Sequence, residues 1–255
     1  MSFKLVTIPC LSDNYAFVLH DDASDQTLLV DVPEAAPIIA ELAKRNWHVS
    51  HVLLTHHHPD HVQGLQELLD VHPAQVVGAA ADAHRLPALD LALSEGDPFT
   101  FAGEEATVYD VSGHTLGHIA VYFPKSGIAF TADSLMALGC GRLFEGSPAQ
   151  MWDSLSKLMR LPPATIICSG HEYTAANARF ALSIEPGNEN LVARAAKVDD
   201  TRKKNHPTVP SKLSEELATN PFLRPHSAEI RNRLEMENNS DSQVFAEIRR
   251  RKDTF

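Results

Sequence analysis

Polar and apolar residues alternate over the first thirty positions. Phe3-Lys4-Leu5-Val6-Thr7-Ile8, Tyr15-Ala16-Phe17-Val18-Leu19 and Thr27-Leu28-Leu29-Val30 read as three short strands. The turn formers Ser12-Asp13-Asn14 and Asp21–Asp25 separate them. From 34 to 46 the period changes, with Ile38, Ile39, Leu42 and Ala43 on one helical face. Val49–Thr55 is a strand again, and Val62, Leu65, Leu68 and Leu69 mark a helix after it. Gln75–Gly78 is a strand, whereas the Ala/Leu-rich stretch 79–94, interrupted by Pro87, carries no period that assigns it. Further strands fall at Phe99–Phe101, Ala106–Val111, Ile119–Phe123, Ile128–Thr131 and Thr165–Cys168. A helix runs over Ala149–Met159 behind the start signals Ser147 and Pro148. After residue 173 the alternation stops. Residues 174–183, 189–204, 211–219 and 226–252 have helical spacing, with Pro186, Pro207, Pro210, Pro221 and Pro225 between or near them. The pattern predicts an α+β chain: a sheet-rich domain over 1–172 and a helical domain over 173–255.

Composition narrows the classes. The 255 residues, 44% of them hydrophobic, suffice for one large domain or a medium one with a small companion. No apolar run reaches 18 residues, so no transmembrane helix and no membrane partner is expected. Met1-Ser2-Phe3-Lys4-Leu5-Val6 lacks the basic and apolar regions of a secretory signal. Cys10, Cys140 and Cys168 are odd in number and far apart, which fits reduced thiols in the cytoplasm. A formal charge of −11 disfavours nucleic acid as a partner. The basic end Arg249-Arg250-Arg251-Lys252 runs against that charge; it is either an anion site or a helix C-terminus. The expected state is a monomer.

The candidate chemistry lies in Thr55-His56-His57-His58-Pro59-Asp60-His61. In an extended segment His56 and His58 share one side and His57 takes the other. Pro59 keeps His58 extended and suits the entry to a helix, at whose start Asp60 and His61 point back. Imidazole and carboxylate together suit two adjacent metals; the bland alternative is a solvated histidine-rich patch. Three later places carry ligand-type residues, each after an expected strand: the loop Ser112–His118 with His114, the turn at Asp133, and the turn at His171. Seven of the fourteen histidines fall in these four places, too many to credit to chance. Gly113 and Gly117 make His114 and His118 members of a loop, not of a helical zinc pair.

The motif Thr55-His56-x-His58-x-Asp60-His61 resembles the signature of the metallo-β-lactamase superfamily, whose fold is an αββα sandwich. The resemblance implies that His56, His58 and His114 bind one metal and that Asp60, His61 and His171 bind a second. It implies that Asp133 bridges the two together with a hydroxide. The cofactor is then two divalent ions per chain, zinc first, with iron or manganese as alternatives. A shared carboxylate suits metals ~3.5–4 Å apart and a water activated near neutral pH.

Within the superfamily, further segments resemble the glyoxalase II (hydroxyacylglutathione hydrolase) family. They are Ser112-Gly113-His114-Thr115-Leu116-Gly117-His118, Phe130-Thr131-Ala132-Asp133-Ser134, Gly139-Cys140-Gly141-Arg142-Leu143-Phe144-Glu145-Gly146, Gly170-His171-Glu172-Tyr173-Thr174 and Asn220-Pro221-Phe222-Leu223-Arg224. The terminal Arg-Lys-Asp-x-Phe agrees as well. This likeness implies hydrolysis of an S-(2-hydroxyacyl)glutathione thioester, S-D-lactoylglutathione above all, as the second step of methylglyoxal detoxification. It implies glutathione contacts from Arg142, Tyr173, Arg249 and Lys252, and proton transfer assisted by Asp60 or Asp133. Ala132 stands where the family has Gly, Ser134 where it has Thr, Phe144 where many members have Tyr, and Asp31-Val32-Pro33-Glu34 where Asp-Pro-Gly is usual. A related lactonase, β-lactamase or phosphodiesterase is the nearest competing reading, then an iron oxygenase, then a non-catalytic metal binder.

Overall fold

The computed structural model describes residues 3–255; Met1 and Ser2, part of the N-terminal stretch read above, lie outside the described residues. The chain forms two compact units. The first runs to Asp110 and resumes over Leu116–Ala132; the second combines Val111–Thr115 with Asp133–Phe255.

In the first unit, strands β1 (Lys4–Cys10), β2 (Asn14–Asp21) and β3 (Gln26–Val30) pair antiparallel in sequence order. Helix α1 (Ala35–Arg45) buries Ile38 and Leu42 and ends at Asn46 in the left-handed conformation that asparagine tolerates. Strand β4 (His51–Leu54) then lies parallel to β3. Two short helices follow, α2 (Pro59–Val62) and α3 (Leu65–Val71), where one was expected. They part around Gln63 and Gly64, and Gly64 N–H donates back to the Val32 carbonyl. Strands β5 (Gln75–Ala79) and β6 (Leu91–Leu93) extend the sheet in parallel. The segment without a period thus contains a 3₁₀ turn at Ala80–Asp82 and the edge strand β6, too short to show alternation. Strands β7 (Phe99–Phe101), β8 (Glu104–Asp110), β9 (Ile119–Phe123) and β10 (Ile128–Ala132) pair antiparallel in sequence order. Phe17 of β2 meets Phe130 of β10 with ring centroids 6.0 Å apart, and Phe3 meets Phe101 at 5.5 Å. These ring pairs fill the space between the two sets of strands.

In the second unit, strands β11 (Leu135–Met136) and β12 (Gly139–Cys140) form a small hairpin. Helix α4 (Pro148–Leu158) starts with a capping box between Ser147 and Gln150. Strand β13 (Ile166–Ser169) precedes α5 (Thr174–Ile184) and α6 (Glu189–Lys203). The stretch 211–219 was expected to be all helix; it opens as strand β14 (Ser211–Lys212), antiparallel to β13, before α7 (Leu213–Thr219). The expected helix 226–252 is two, α8 (Ala228–Leu234) and α9 (Asp241–Asp253). Glu235 adopts a left-handed conformation that closes α8, and Ser240 with Gln243 boxes the start of α9. Phe222 packs between Phe180 and Phe245, and Trp152 of α4 sits on Phe245 of α9. Among the described residues no helix is long and apolar enough to cross a membrane.

Candidate metal centre

In the first unit, the carboxyl ends of three neighbouring parallel strands gather a set of donor side chains. Backbone pairing of Val30 with Leu53 and of Leu54 with Gly78 brings the residues after β3, β4 and β5 to one edge. That edge is where open parallel sheets place their ligands. Asp31 follows β3. Its Oδ1 accepts from Thr55 N–H at 2.9 Å, and its Oδ2 accepts from the Thr55 hydroxyl at 2.9 Å and from His61 Nδ1 at 2.7 Å. Because the Thr55 proton goes to Asp31, the hydroxyl accepts from His56 Nδ1, 3.0 Å away. Both His56 and His61 therefore carry their proton on Nδ1 and offer Nε2 as the ligand nitrogen. His58 turns Nδ1 toward His56 Nε2 at 3.1 Å. Its extended backbone (φ −59°, ψ 139°) is what a residue before proline adopts. Asp60 Oδ2 lies 3.9 Å from His61 Nε2 and accepts from Asn14 Nδ2 at 3.0 Å.

His57 leaves this group. It pairs with buried Asp82 at 2.8 Å, and Asp82 also holds Arg85. His118 stacks on His56 with centroids 4.6 Å apart and directs Nδ1 to the Ile119 carbonyl, a supporting position. A side chain at Gly117 would collide with Asp82, so the glycine lets this loop lie close.

The second unit holds His114, Asp133 and His171, all nearly buried. One oxygen, Asp133 Oδ2, stands 3.3 Å from His114 Nε2 and 3.2 Å from His171 Nε2. His114 Nδ1 donates to the Arg142 carbonyl at 2.7 Å, which again turns Nε2 inward. A Cβ at Gly141 would overlap the Asp133 carbonyl, so only glycine lets the hairpin arm pass here. Ala132, just before Asp133, sits at φ 38°. That left-handed value is the physical reason a glycine would be usual there.

The donor sets fit a metal. Tetrahedral donors about 2.1 Å from a common ion lie roughly 3.4 Å apart. The separations within each unit, from 3.1 Å for His56–His58 to 3.9 Å for Asp60–His61, bracket that value. The histidine tautomers, fixed from behind by Asp31, Thr55 and the Arg142 carbonyl, present lone pairs to it.

Two family comparisons decide the assignment. A sequence profile of the metallo-beta-lactamase superfamily matches residues 12–171, and one described as "Hydroxyacylglutathione hydrolase C-terminus" matches 172–255. A hydroxyacylglutathione hydrolase of Roseobacter denitrificans is 62% identical over 255 residues, covering the whole of both chains. One from Cereibacter sphaeroides is 60% identical with the same coverage. The chain belongs to the hydroxyacylglutathione hydrolase family. Among solved structures, the B3 metallo-beta-lactamase BLEG-1 matches with a TM-score of 0.67 at 20% identity, covering 87% of this chain and 100% of its own. ETHE1 from Myxococcus xanthus matches at 0.65 and 23% identity, covering 100% of this chain and 99% of its own. Both show the metallo-β-lactamase fold, a two-sheet sandwich, and the hydroxyacylglutathione hydrolase C-terminal match lies on the helical region of this chain.

The four residues expected to touch glutathione in this hydroxyacylglutathione hydrolase differ in exposure. Arg142 is exposed, and Tyr173 is 40% exposed and stacked on His171, 4.6 Å between centroids. Lys252 is half-buried over the Phe180 ring, and burial lowers its pKa. Arg249 is buried; Nη1 donates to the Cys140 carbonyl at 3.0 Å and Nη2 to Asp253 at 2.8 Å. Cys140 is on β12 and not in a loop, and burial pushes its thiol up to about 11, so it is no nucleophile at neutral pH. Phe144, 62% exposed, meets His114 edge-on at 5.3 Å.

Sequence reading had not given Asp31, Asn14 or Asp82 a role. Asp31 stands out in the sequence only as the first residue of the Asp31-Val32-Pro33-Glu34 departure; its task depends on the parallel register of β3 and β4. Asp31→Ala is expected to weaken metal binding by roughly 10–100-fold, the usual effect of losing a group that orients a ligand. Competition against a chromogenic chelator measures this, and unchanged affinity removes Asp31 from the site.

Proposed function

We propose that the two donor groups together hold two divalent ions, with His56, His58 and His114 on one, Asp60, His61 and His171 on the other, and Asp133 shared. Zinc is the first expectation, iron or manganese the alternatives. The reaction is hydrolysis of an S-(2-hydroxyacyl)glutathione, S-D-lactoylglutathione in the glyoxalase II step of methylglyoxal detoxification. Water adds its oxygen to the thioester carbonyl carbon, the C–S bond breaks, and the products are a 2-hydroxy carboxylate, a proton and glutathione. What carries this reading is identity at about 60% across the entire chain, including the region 172–255 that other branches of the superfamily need not share.

When bound, the ions supply a lowered water pKa and polarisation of the carbonyl. The chain's own residues do the rest. Asp31 and Thr55 keep His56 and His61 in the tautomer that presents Nε2. Asn14 orients Asp60 Oδ2, and Asp60 or Asp133 assists the proton transfer. Arg142, Tyr173, Arg249 and Lys252, the last three from the helical region 173–255, serve the glutathione moiety, the cations through its carboxylates and Arg249 from a buried position behind Asp253. Among the described residues Cys10, Cys140 and Cys168 are buried and form no disulfide, which suits a reducing compartment, and the reading puts the enzyme in the cytoplasm.

The test is turnover of S-D-lactoylglutathione beside a simple lactone and a β-lactam, with elemental analysis of the same sample. The expected result is thioester hydrolysis in large excess over the other two and about two metals per chain. Preference for the lactone or the β-lactam overturns the substrate; one metal or fewer in fully active protein overturns the paired site.

A further inference from the structure

Asp253 is the last residue of α9, and its carboxylate oxygen Oδ1 contacts two arginines at once. It lies 2.8 Å from Arg249 Nη2 and 3.5 Å from Arg142 Nε. The two arginines differ in environment. Arg249 is buried, its guanidinium 5.1 Å from the centre of the Phe222 ring. It is anchored by the Cys140 carbonyl on β12. Arg142 comes two residues after that carbonyl, and its side chain is 58% exposed. Arg249 thus fixes Asp253, and Asp253 faces Arg142 Nε across a longer, partly exposed ion-pair contact.

The atom used on Arg142 is informative. A guanidinium held at Nε keeps its two Nη groups as a planar fork, the geometry that grips a carboxylate through two parallel hydrogen bonds. An unrestrained exposed arginine would have to lose side-chain freedom each time it bound. The charge balance agrees: Asp253 offsets one of the two arginines, so the triad still offers one net positive charge to an anion.

We infer that Asp253 is a positioning residue for substrate recognition, orienting Arg142 toward a peptide carboxylate of the thioester through the chain Arg249–Asp253–Arg142. The inference rests on the reading of Arg142 as a substrate contact. It gives the terminal Asp of the Arg-Lys-Asp-x-Phe sequence a role distinct from that of the cations beside it.

The experiment compares S-D-lactoylglutathione with its dimethyl ester, in which both peptide carboxylates are blocked. Asp253→Ala is expected to raise KM for the free acid about three- to fivefold, the upper end for a partly exposed ion pair, with kcat within twofold. KM for the ester is expected to stay at the wild-type value. Asp253→Asn keeps an acceptor oxygen in place and is expected to recover most of the loss. An unchanged KM for the acid, or an equal rise for acid and ester, overturns the inference. If Asp253→Ala does not fold, Asp253→Glu is scored on the same pair of substrates, since it keeps the charge but displaces the oxygen. It is expected to raise KM for the acid alone, and equal values for both substrates again overturn the inference. Failure of the wild-type enzyme to hydrolyse either thioester would instead sink the proposed function.

Discussion

Asp133→Ala is expected to give a folded protein with essentially no thioesterase activity, kcat/KM falling by roughly a thousandfold or more. The magnitude comes from the several kcal/mol that a bound metal contributes to charge stabilisation, at about 1.4 kcal/mol per factor of ten. Asp133 Oδ2 stands between His114 Nε2 and His171 Nε2, within 3.3 Å of each. Removing the carboxylate takes a negative charge from the donor set and leaves the two imidazoles without the oxygen between them. The fold is expected to survive, because Asp133 belongs to the turn after β10 and not to a strand or to the aromatic core. Asp133→Asn separates shape from charge: it keeps the volume and loses the anion, and should resemble the alanine variant in metal content. The measurements are kcat/KM with S-D-lactoylglutathione, elemental analysis, and near-UV circular dichroism. Near-normal turnover in either variant would remove Asp133 from the shared position.

The residues expected to ligate metal were legible in the sequence because each follows a short β-prone run with clear ends. His56 comes after β4, His114 after β8, Asp133 after β10 and His171 after β13. Short apolar runs rich in β-branched and aromatic residues are recognisable at about four or five positions, and the expected ligands are chemically unusual enough to be noticed. The residues behind them were not legible. Asp31 acts on His61 through a parallel strand pairing across thirty positions, and no local pattern encodes that register. Asp82 lay in the stretch without a period. The break between α8 and α9 did have a signal, Ser240-x-x-Gln243, but apolar spacing that continued on both sides masked it. Arg249 shows a different limit. Its charge suggested a surface contact, whereas the structure buries the guanidinium against Cys140 and Asp253. Sequence spacing gives the face of a helix but not what another segment lays over it.

Glu216→Ala is expected to be the most destabilising single change in the helical region, costing about 3–5 kcal/mol, the range for breaking a buried ion pair from one side. Glu216 of α7 is a charged residue that is fully buried. One oxygen accepts from Arg194 of α6; the other accepts from Leu138 N–H at 2.8 Å and from Asn220 Nδ2 at 3.2 Å. Leu138 is at φ 55°, a left-handed conformation costly for a branched apolar residue, at the tip of the β11–β12 hairpin. Asn220 reinforces the same hairpin by donating to the carbonyls of Met136 and Gly139. Loss of the carboxylate strands the Arg194 cation and frees the strained tip together. For a chain of this size, thermal melting should fall on the order of 10 °C. The double variant Arg194→Met with Glu216→Leu removes both charges and replaces them with apolar bulk, and should melt above Glu216→Ala, because an absent pair costs less than a broken one. The hairpin leads directly into Gly141 and Arg142, so below its melting point Glu216→Ala should also show a raised KM for the free-acid thioester. Melting within about 2 °C of wild type, under a quarter of the expected shift, would mean that α7 does not hold the hairpin through this carboxylate.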